Sequence, residues 1–156
     1  MSRLMRRYSK LISLVVLCLL SVDMMAQGPF RPDKDGKCSF NLEMDIRGHS
    51  ITGLTIMQQG DGEVRGTVVN QMGLKAFDFI YNETRQKVEL QNVVKMMNRW
   101  YIRRVLRRDL RFLFSHSSNA HNRSHTLIVT PDSVRLQNTR QHINYLFTSL
   151  AHDIAK

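Results

Sequence analysis

The stretch EVRGTVVNQMGLKAFDFIYNETRQKVEL, residues 63–90, decides the fold. Its apolar and polar residues alternate in three runs, which are separated by a Met-Gly turn and an Asn-Glu-Thr turn. Alternation with a period of two is typical of half-buried β-strands. Connections this short join antiparallel strands, because parallel strands need long crossovers. The stretch therefore predicts three strands of an antiparallel meander, at 64–70, 75–81 and 87–90.

Further strands are predicted on both sides of this stretch. Residues 39–46 alternate strictly between apolar and polar side chains, and residues 51–58 form a second run with a glycine inside it. The Gly-Asp-Gly sequence at 60–62 supplies the positive backbone angles of a tight hairpin turn. Towards the C-terminus, short apolar runs at 126–130 and 134–136 predict two more strands.

The hydrophobic period changes after the meander, and two helices are expected. Placed at 100° per residue, residues 94–113 gather their apolar side chains on one half of a helix and five arginines on the other. A final helix is predicted from about Arg140 to Ala155, where apolar residues recur every three or four positions. The fold class is therefore α+β: a curved antiparallel sheet of about seven strands packed against two helices.

The N-terminus has the features of a secretory signal peptide. Four basic residues precede an apolar run at 11–20, which is shorter than the roughly 20 residues that a membrane-spanning helix needs. We expect a signal peptide at 1–26, a flexible segment at 27–37 and a single domain at 38–156. The protein is then exported, to the periplasm or the outer membrane. A short retained anchor is the alternative, and Cys18 leaves lipidation open.

Basic charge is concentrated in one segment of the chain. The sequence has 23 basic and 13 acidic side chains, and the leader holds four and one of them, which leaves 19 and 12. Eight of the 19 lie between Lys95 and Arg123, where Asp109 is the single acid, so 11 of each sign remain elsewhere. Localised charge of this kind indicates a surface feature and not general basicity.

The arginines of the first predicted helix are the candidate contact for an anionic surface. A basic amphipathic helix beside a tryptophan has the composition of a membrane-interface element. A solvated surface helix is the other interpretation, because arginine stems can cover an apolar flank. Nucleic acid is not expected as a partner, because no stacking platforms or known module accompany the arginines. The candidate residues are Trp100, Arg103, Arg104, Arg107, Arg108 and Arg111.

No motif in the sequence points to an enzyme, a cofactor or a metal site. A phosphate loop, a dinucleotide fingerprint and a nucleophile elbow are all missing from it. His116, His121 and His125 have no cysteine or acid beside them to complete a metal shell, and we expect them to be solvated. Cys38 is expected to be a small strand residue. The prediction is a non-enzymatic protein without a cofactor.

Asp109 is exceptional because it falls on the apolar half of the predicted helix. An ionised carboxylate that faces a core costs several kcal/mol unless it is paired or hydrogen-bonded. In one interpretation it cross-links the sheet through Asn70 or Arg65. In the other it orients a ligand head group at the mouth of an internal cavity.

The stretch TGLTIMQQGDGEVRGTVVNQMGLKAFDFIYNETRQKVEL, residues 52–90, resembles the central strands of periplasmic lipoprotein carriers and outer-membrane lipoprotein receptors. The leader and the Ala-Gln junction also resemble those of small secreted proteins of Bacteroidetes-type bacteria. The first resemblance implies an incomplete β-barrel wrapped around helices, with acyl chains held in an apolar cavity. The residues expected to line it are Leu54, Phe77, Phe79 and Tyr81, with Asp109 at its mouth.

Two functions are therefore expected from the sequence. The first is an exported, non-enzymatic carrier or receptor that holds a lipid or a lipidated protein in an apolar cavity. The alternative is a basic adaptor that binds an anionic membrane surface or another polyanion and has no internal cavity. The two differ in where the ligand lies: inside the sheet in the first, and on the arginine helix in the second.

Overall fold

One antiparallel sheet organises the fold. The computed structural model describes residues 36–150, which form nine strands and one α-helix. The strands are β1 (Lys37–Ile46), β2 (His49–Gly60), β3 (Glu63–Asn70), β4 (Lys75–Asn82), β5 (Lys87–Gln91), β6 (Ala120–His121), β7 (His125–Val129), β8 (Ser133–Asn138) and β9 (Ile143–Ser149). The helix, α1 (Trp100–Ser115), lies between β5 and β6 in the chain.

The strand order is β5-β4-β3-β2-β1-β9-β8-β7-β6, and the neighbouring strands are antiparallel. Only β1 and β9 pair without being consecutive in the chain. Among the described residues, β5 and β6 are the two edges and do not pair with each other, so the sheet stays open. The predicted α+β class and the antiparallel meander are confirmed. The expected count of seven strands was wrong, because β6 and β9 were not predicted.

The predicted final helix was also wrong, because the described part of it forms a strand. In place of a helix from about Arg140, β9 pairs with β1 on one side and β8 on the other. Its sequence INYLFTS fits both periods, since apolar residues recur at intervals of two and of three to four. Burial decides between them: Tyr145 and Phe147 point into the core, two positions apart. Residues 151–155 of the predicted helix lie outside the described residues.

The first helix begins later than its hydrophobic pattern predicts. The pattern starts at residue 94, but α1 begins at Trp100. The Val94 N–H donates a hydrogen bond to the Ala76 carbonyl at 2.8 Å, which holds this segment against the start of β4. Residues 95–97 form a turn instead of helix, in which the Met97 N–H donates to the Val94 carbonyl at 2.9 Å and the Asn98 N–H donates to the Lys95 carbonyl at 3.3 Å.

The core lies between α1 and one face of the sheet. Phe77, Phe79 and Tyr81 of β4 are buried, whereas Asp78 and Ile80 between them are not, as the alternation predicts. The rings of Phe79 and Tyr81 lie 5.5 and 5.3 Å from the Phe114 ring of α1. Side chains of α1 complete this layer: Leu106, Leu110, Leu113 and Phe114.

The predicted domain limits fall mostly outside the residues that the structure describes. The predicted signal peptide at 1–26 and nearly all of the segment at 27–37 lie outside them, and β1 begins at Lys37. Within residues 36–150, no helix is both long enough and apolar enough to span a bilayer.

Candidate functional site

The helix α1 presents a basic surface whose charges have no acidic partner among residues 36–150, which the structure describes. The ion pairs between the described residues are Arg65–Glu63, Lys75–Asp78, Lys87–Glu89 and His125–Asp109. None of these pairs includes an arginine of α1. The first turn of the helix also has no acidic residue. An anionic partner would therefore meet uncompensated positive charge along this helix.

The structure divides the predicted anionic-contact residues into two groups. Arg104, Arg107, Arg108 and Arg111 line one wall of an open groove of about 600 Å³, and residues 86–91 of β5 and its preceding turn line the other. We call this the arginine groove. Within it the Arg108 Nε is buried and has no hydrogen-bond partner. Trp100 does not belong to the groove lining.

Arg103 has a different role from the other four arginines. Its Nη1 donates to Asn98 Oδ1 at 2.9 Å, and its Nη2 donates to the Leu90 carbonyl at 3.1 Å. The guanidinium therefore joins the first turn of α1 to the edge strand β5. Arg103 positions the wall of the groove, whereas the remaining arginines face its open space.

Trp100 belongs to a second exposed feature, at the N-terminal end of α1. Its side chain is 74% exposed and meets the ring of Tyr101 edge-on at 6.0 Å. The segment before the helix lies beside the β3–β4 turn, because Val94 is hydrogen-bonded to Ala76. Both segments carry exposed apolar side chains, which we call the apolar tip: Met72, Leu74, Val94, Met96, Trp100 and Tyr101.

The apolar tip has basic neighbours. Lys95 and Arg99 are both exposed, one beside Met96 and the other beside Trp100 in the chain. Single exposed apolar residues are ordinary on protein surfaces, but a contiguous group usually marks an interaction site. The sequence pattern predicted Trp100 here and missed its companions, because the pattern assigns Val94 and Tyr101 to a buried helical face.

Three of the four predicted cavity-lining residues come together in the core, where the space between them and α1 is small. Phe77, Phe79 and Tyr81 come together on the inner face of β4, but Leu54 does not join them. Buried Thr55 and Met57 show which face of β2 is inner, and Leu54 has the opposite parity. The void that Phe77 and Phe79 share with α1 has a volume of about 10 Å³. That is about the space that one water molecule needs.

Asp109 lies deep in the core and not at the mouth of a cavity. Its side chain is fully buried, and its carboxylate accepts hydrogen bonds from His125 Nε2 at 2.9 Å, Asn138 Nδ2 at 2.7 Å and the Tyr145 hydroxyl at 2.8 Å. These partners lie on β7, β8 and β9, so the carboxylate joins α1 to three strands. A buried carboxylate is tolerated when hydrogen bonds replace its hydration in this way.

The expected partners of Asp109 were wrong. Arg65 forms an ion pair with Glu63, and the Asn70 side chain accepts from backbone N–H groups in its own turn. The expectation that His125 is solvated was also wrong. His125 is buried, its ring stacks on Phe112 at 4.9 Å, and its Nδ1 lies 2.9 Å from Ser124 Oγ. Sequence spacing could not reveal contacts between residues so far apart in the chain.

Ser124, His125 and Asp109 are linked by hydrogen bonds in the same order as the catalytic residues of a serine hydrolase. The residues around them, however, hold the cluster within the packed core. Two further donors, Asn138 and Tyr145, saturate the carboxylate, and Phe112 covers the imidazole. Burial, followed by the neighbouring Asp109 carboxylate, raises the pKa of Tyr145 well above its usual value. Tyr145 thus remains a protonated donor, and the cluster is a tether between helix and sheet.

The other two histidines considered as metal ligands do not belong to this hydrogen-bonded cluster of described residues. His116 and His121 are exposed at the surface. In the part of the chain that the structure describes, no three histidine, cysteine or acidic side chains are grouped to hold a metal ion. Neither a protein-family model nor a curated protein sequence matches this chain.

Proposed function

We propose that the protein is a non-enzymatic adaptor that binds anionic membrane surfaces with the apolar tip and the basic residues beside it. The single observation that carries the proposal is this juxtaposition at the start of α1. Trp100 is 74% exposed and Met96 84% exposed, while Lys95 and Arg99 flank them without an acidic partner among the described residues.

The two kinds of side chain act at different depths of a membrane interface. Tryptophan and tyrosine favour the headgroup level, where one part of the ring is apolar and the other reaches water. Each lysine or arginine near an anionic surface contributes about 1 kcal/mol to binding. Lys95 and Arg99 can therefore hold the surface while Trp100 and Met96 enter the interface.

The packed interior favours this function over a lipid carrier. An acyl chain needs an apolar cavity, and the void among Phe77, Phe79 and the helix is only about 10 Å³. A carrier would have to separate α1 from the sheet, and the Asp109 tether opposes that movement through its bonds to β7, β8 and β9. An exported location, which the leader sequence favours, belongs to the same proposal.

Vesicle flotation with substitutions in the apolar tip tests the proposal. Vesicles rich in anionic lipid should carry the wild-type protein upward at low salt, and Trp100→Ser with Met96→Ser should reduce this strongly. Ile128→Ser is the matched control, because Ile128 is an exposed apolar residue near the opposite edge of the sheet. Equal flotation of the double variant and wild type would contradict the proposal.

The contribution of the basic residues to membrane binding is measured in the same flotation assay. Lys95→Gln with Arg99→Gln removes about 2 kcal/mol by the estimate for surface charges, which predicts roughly thirty-fold weaker binding. Arg123→Gln with Arg135→Gln changes the net charge equally at exposed positions outside the tip and should have a smaller effect. Added salt should weaken wild-type binding, because the Debye length falls to about 10 Å at 0.1 M.

A further inference from the structure

We infer that the arginine groove binds an extended acidic segment of a partner protein, which adds to the sheet as a strand beside β5. This interaction uses residues outside the apolar tip and goes beyond the proposed membrane function. An adaptor with both sites would hold an acidic protein segment at a membrane surface.

The lining of the groove shows that it follows the edge of β5. Side chains of a strand point alternately to its two faces, so a pocket on one face is lined by every second residue. Six consecutive residues, 86–91, line this groove. Because consecutive residues of β5 contact the groove, the open space runs along the backbone edge of the strand, where a further strand would pair.

Apart from the Leu90 carbonyl, which Arg103 occupies, the backbone of β5 is available on that edge. Within the described part of the chain, β5 is the terminal strand of the sheet and pairs with β4 alone. In an antiparallel pair, alternate residues turn their backbone groups away from the partner strand. The Leu90 carbonyl accepts from Arg103 of α1, which places it on the outward side. Val88 lies two residues before Leu90, so its N–H and carbonyl also point outward, away from β4. Unpaired edges of this kind bind extended peptides by strand addition.

Charge determines which peptide fits. The four arginines of the groove lie at positions 104, 107, 108 and 111, one stripe of the helix. Arginines four residues apart are separated by about 6 Å along a helix axis. Side chains on one face of a strand repeat about every 6.7 Å. Acidic residues at every second position would therefore meet successive arginines, and carboxylates accept well from guanidinium groups.

A second copy of this chain does not fit the groove. Pairing of β5 with its own copy would bring four arginines of each molecule together, with only Glu89 of each groove to offset them, and like charges in contact are unfavourable. An acidic segment supplies acceptors and neutralises the wall, whereas a second copy adds donors.

The test uses a capped octapeptide of alternating glutamate and threonine, with binding measured by calorimetry at low salt. We expect saturable binding, and binding weaker by up to about twenty-five-fold to Arg107→Gln with Arg111→Gln, since each exposed ion pair contributes up to about five-fold. Arg123→Gln with Arg135→Gln is the matched control and should bind within about two-fold of wild type, because neither residue lines the groove.

Two further measurements separate strand addition from simple charge attraction. The same peptide N-methylated along its backbone keeps its charge but cannot donate ladder hydrogen bonds, and we expect its binding to be lost. Amide exchange at Val88 and Leu90 should slow when the unmodified peptide binds. Equal binding of both peptides, or unchanged exchange in β5, would overturn strand addition.

The remaining outcomes are also decisive. Absence of binding by the unmodified peptide overturns the inference, as does a β5-paired dimer of the protein that the peptide cannot dissociate. If Arg107→Gln with Arg111→Gln loses vesicle flotation but keeps peptide binding, the groove is a lipid site and the inference is wrong. No lipid is present in the peptide measurements, so their failure is distinct from failure of the membrane proposal.

Discussion

The Tyr145 hydroxyl donates a hydrogen bond to Asp109 Oδ2 at 2.8 Å and so joins β9 to α1. β9 is also the strand that links the two halves of the sheet, because it pairs with β1 on one side and β8 on the other. The same carboxylate binds His125 and Asn138. This contact therefore fixes the helix, and with it the groove and the apolar tip, relative to the sheet.

Asp109→Ala should strongly destabilise the fold. Three buried donors lose their acceptor, and each buried polar group that is left unsatisfied costs about 1–3 kcal/mol. Urea unfolding gives the change in the free energy of unfolding. Asp132→Ala, at an exposed turn position, serves as the control and should change it by less than about 0.5 kcal/mol. Similar small changes in both variants would show that the cluster does not hold the helix.

Stability should fall in alkaline solution because of Tyr145. Its pKa is raised in the folded protein by burial and by Asp109, above the usual value of 10.0. Above pH 10 the unfolded chain loses this proton while the folded chain keeps it, so unfolding becomes more favourable as the pH rises. The contribution is complete below pH 10 and declines towards the raised pKa.

The comparison with Tyr145→Phe isolates this effect from other titrating groups. The variant has no hydroxyl proton, so its free energy of unfolding should decline less steeply than that of wild type above pH 10. At neutral pH it should be less stable by about 1–3 kcal/mol, because Asp109 loses a donor. Parallel pH profiles for the two proteins would contradict the assigned hydrogen bond.

Gly66→Ala should disturb the core through Phe79. The two residues are paired across β3 and β4, and a Cβ atom on Gly66 would overlap the Phe79 ring. Overpacking of this kind costs about 1–3 kcal/mol. Gly60→Ala is the matched control, since a Cβ there meets no atom within 4 Å. A double variant with Phe79→Leu should recover part of the loss; additive effects would show that the ring is not responsible.

A fluorescent fatty-acyl probe should find no stoichiometric site inside the folded domain. The interior void is about 10 Å³, and Phe79, which was expected to line a cavity, packs on Phe114 at 5.5 Å. Phe79→Asp should therefore prevent folding, because it buries an unpaired carboxylate. One-to-one probe binding by the wild type, together with a folded Phe79→Asp variant that does not bind, would instead support the carrier function.

The hydrophobic pattern and the turn residues correctly predicted the elements whose structure is determined by neighbouring residues in the chain. The alternation in β4 and the short turns on either side of it identify a meander, and the separation of arginines from leucines identifies α1. The hydrophobic pattern at 143–149 fits both a strand and a helix. It is pairing with β1 and β8 that makes this segment a strand. The sequence alone does not show that β1 and β8 lie on either side of this segment.

The candidate site was predictable only in part for the same reason. Residues 95–123 were identified by their charge, but the division into a groove and a tip depends on which side of α1 meets β5. The partners of Asp109 lie 16, 29 and 36 residues away. Helical spacing shows that Asp109 faces inward, and it cannot show which strands are there.

The fluorescence of Trp100 tests the membrane proposal most directly, because it is the single tryptophan of the chain. Its side chain is exposed in the structure. Addition of vesicles rich in anionic lipid at low salt should shift its emission to shorter wavelength and protect it from a water-soluble quencher. Vesicles of neutral lipid should have little effect. Binding of anionic vesicles with unchanged emission and quenching would show that the tip does not enter the interface, and would contradict the proposal.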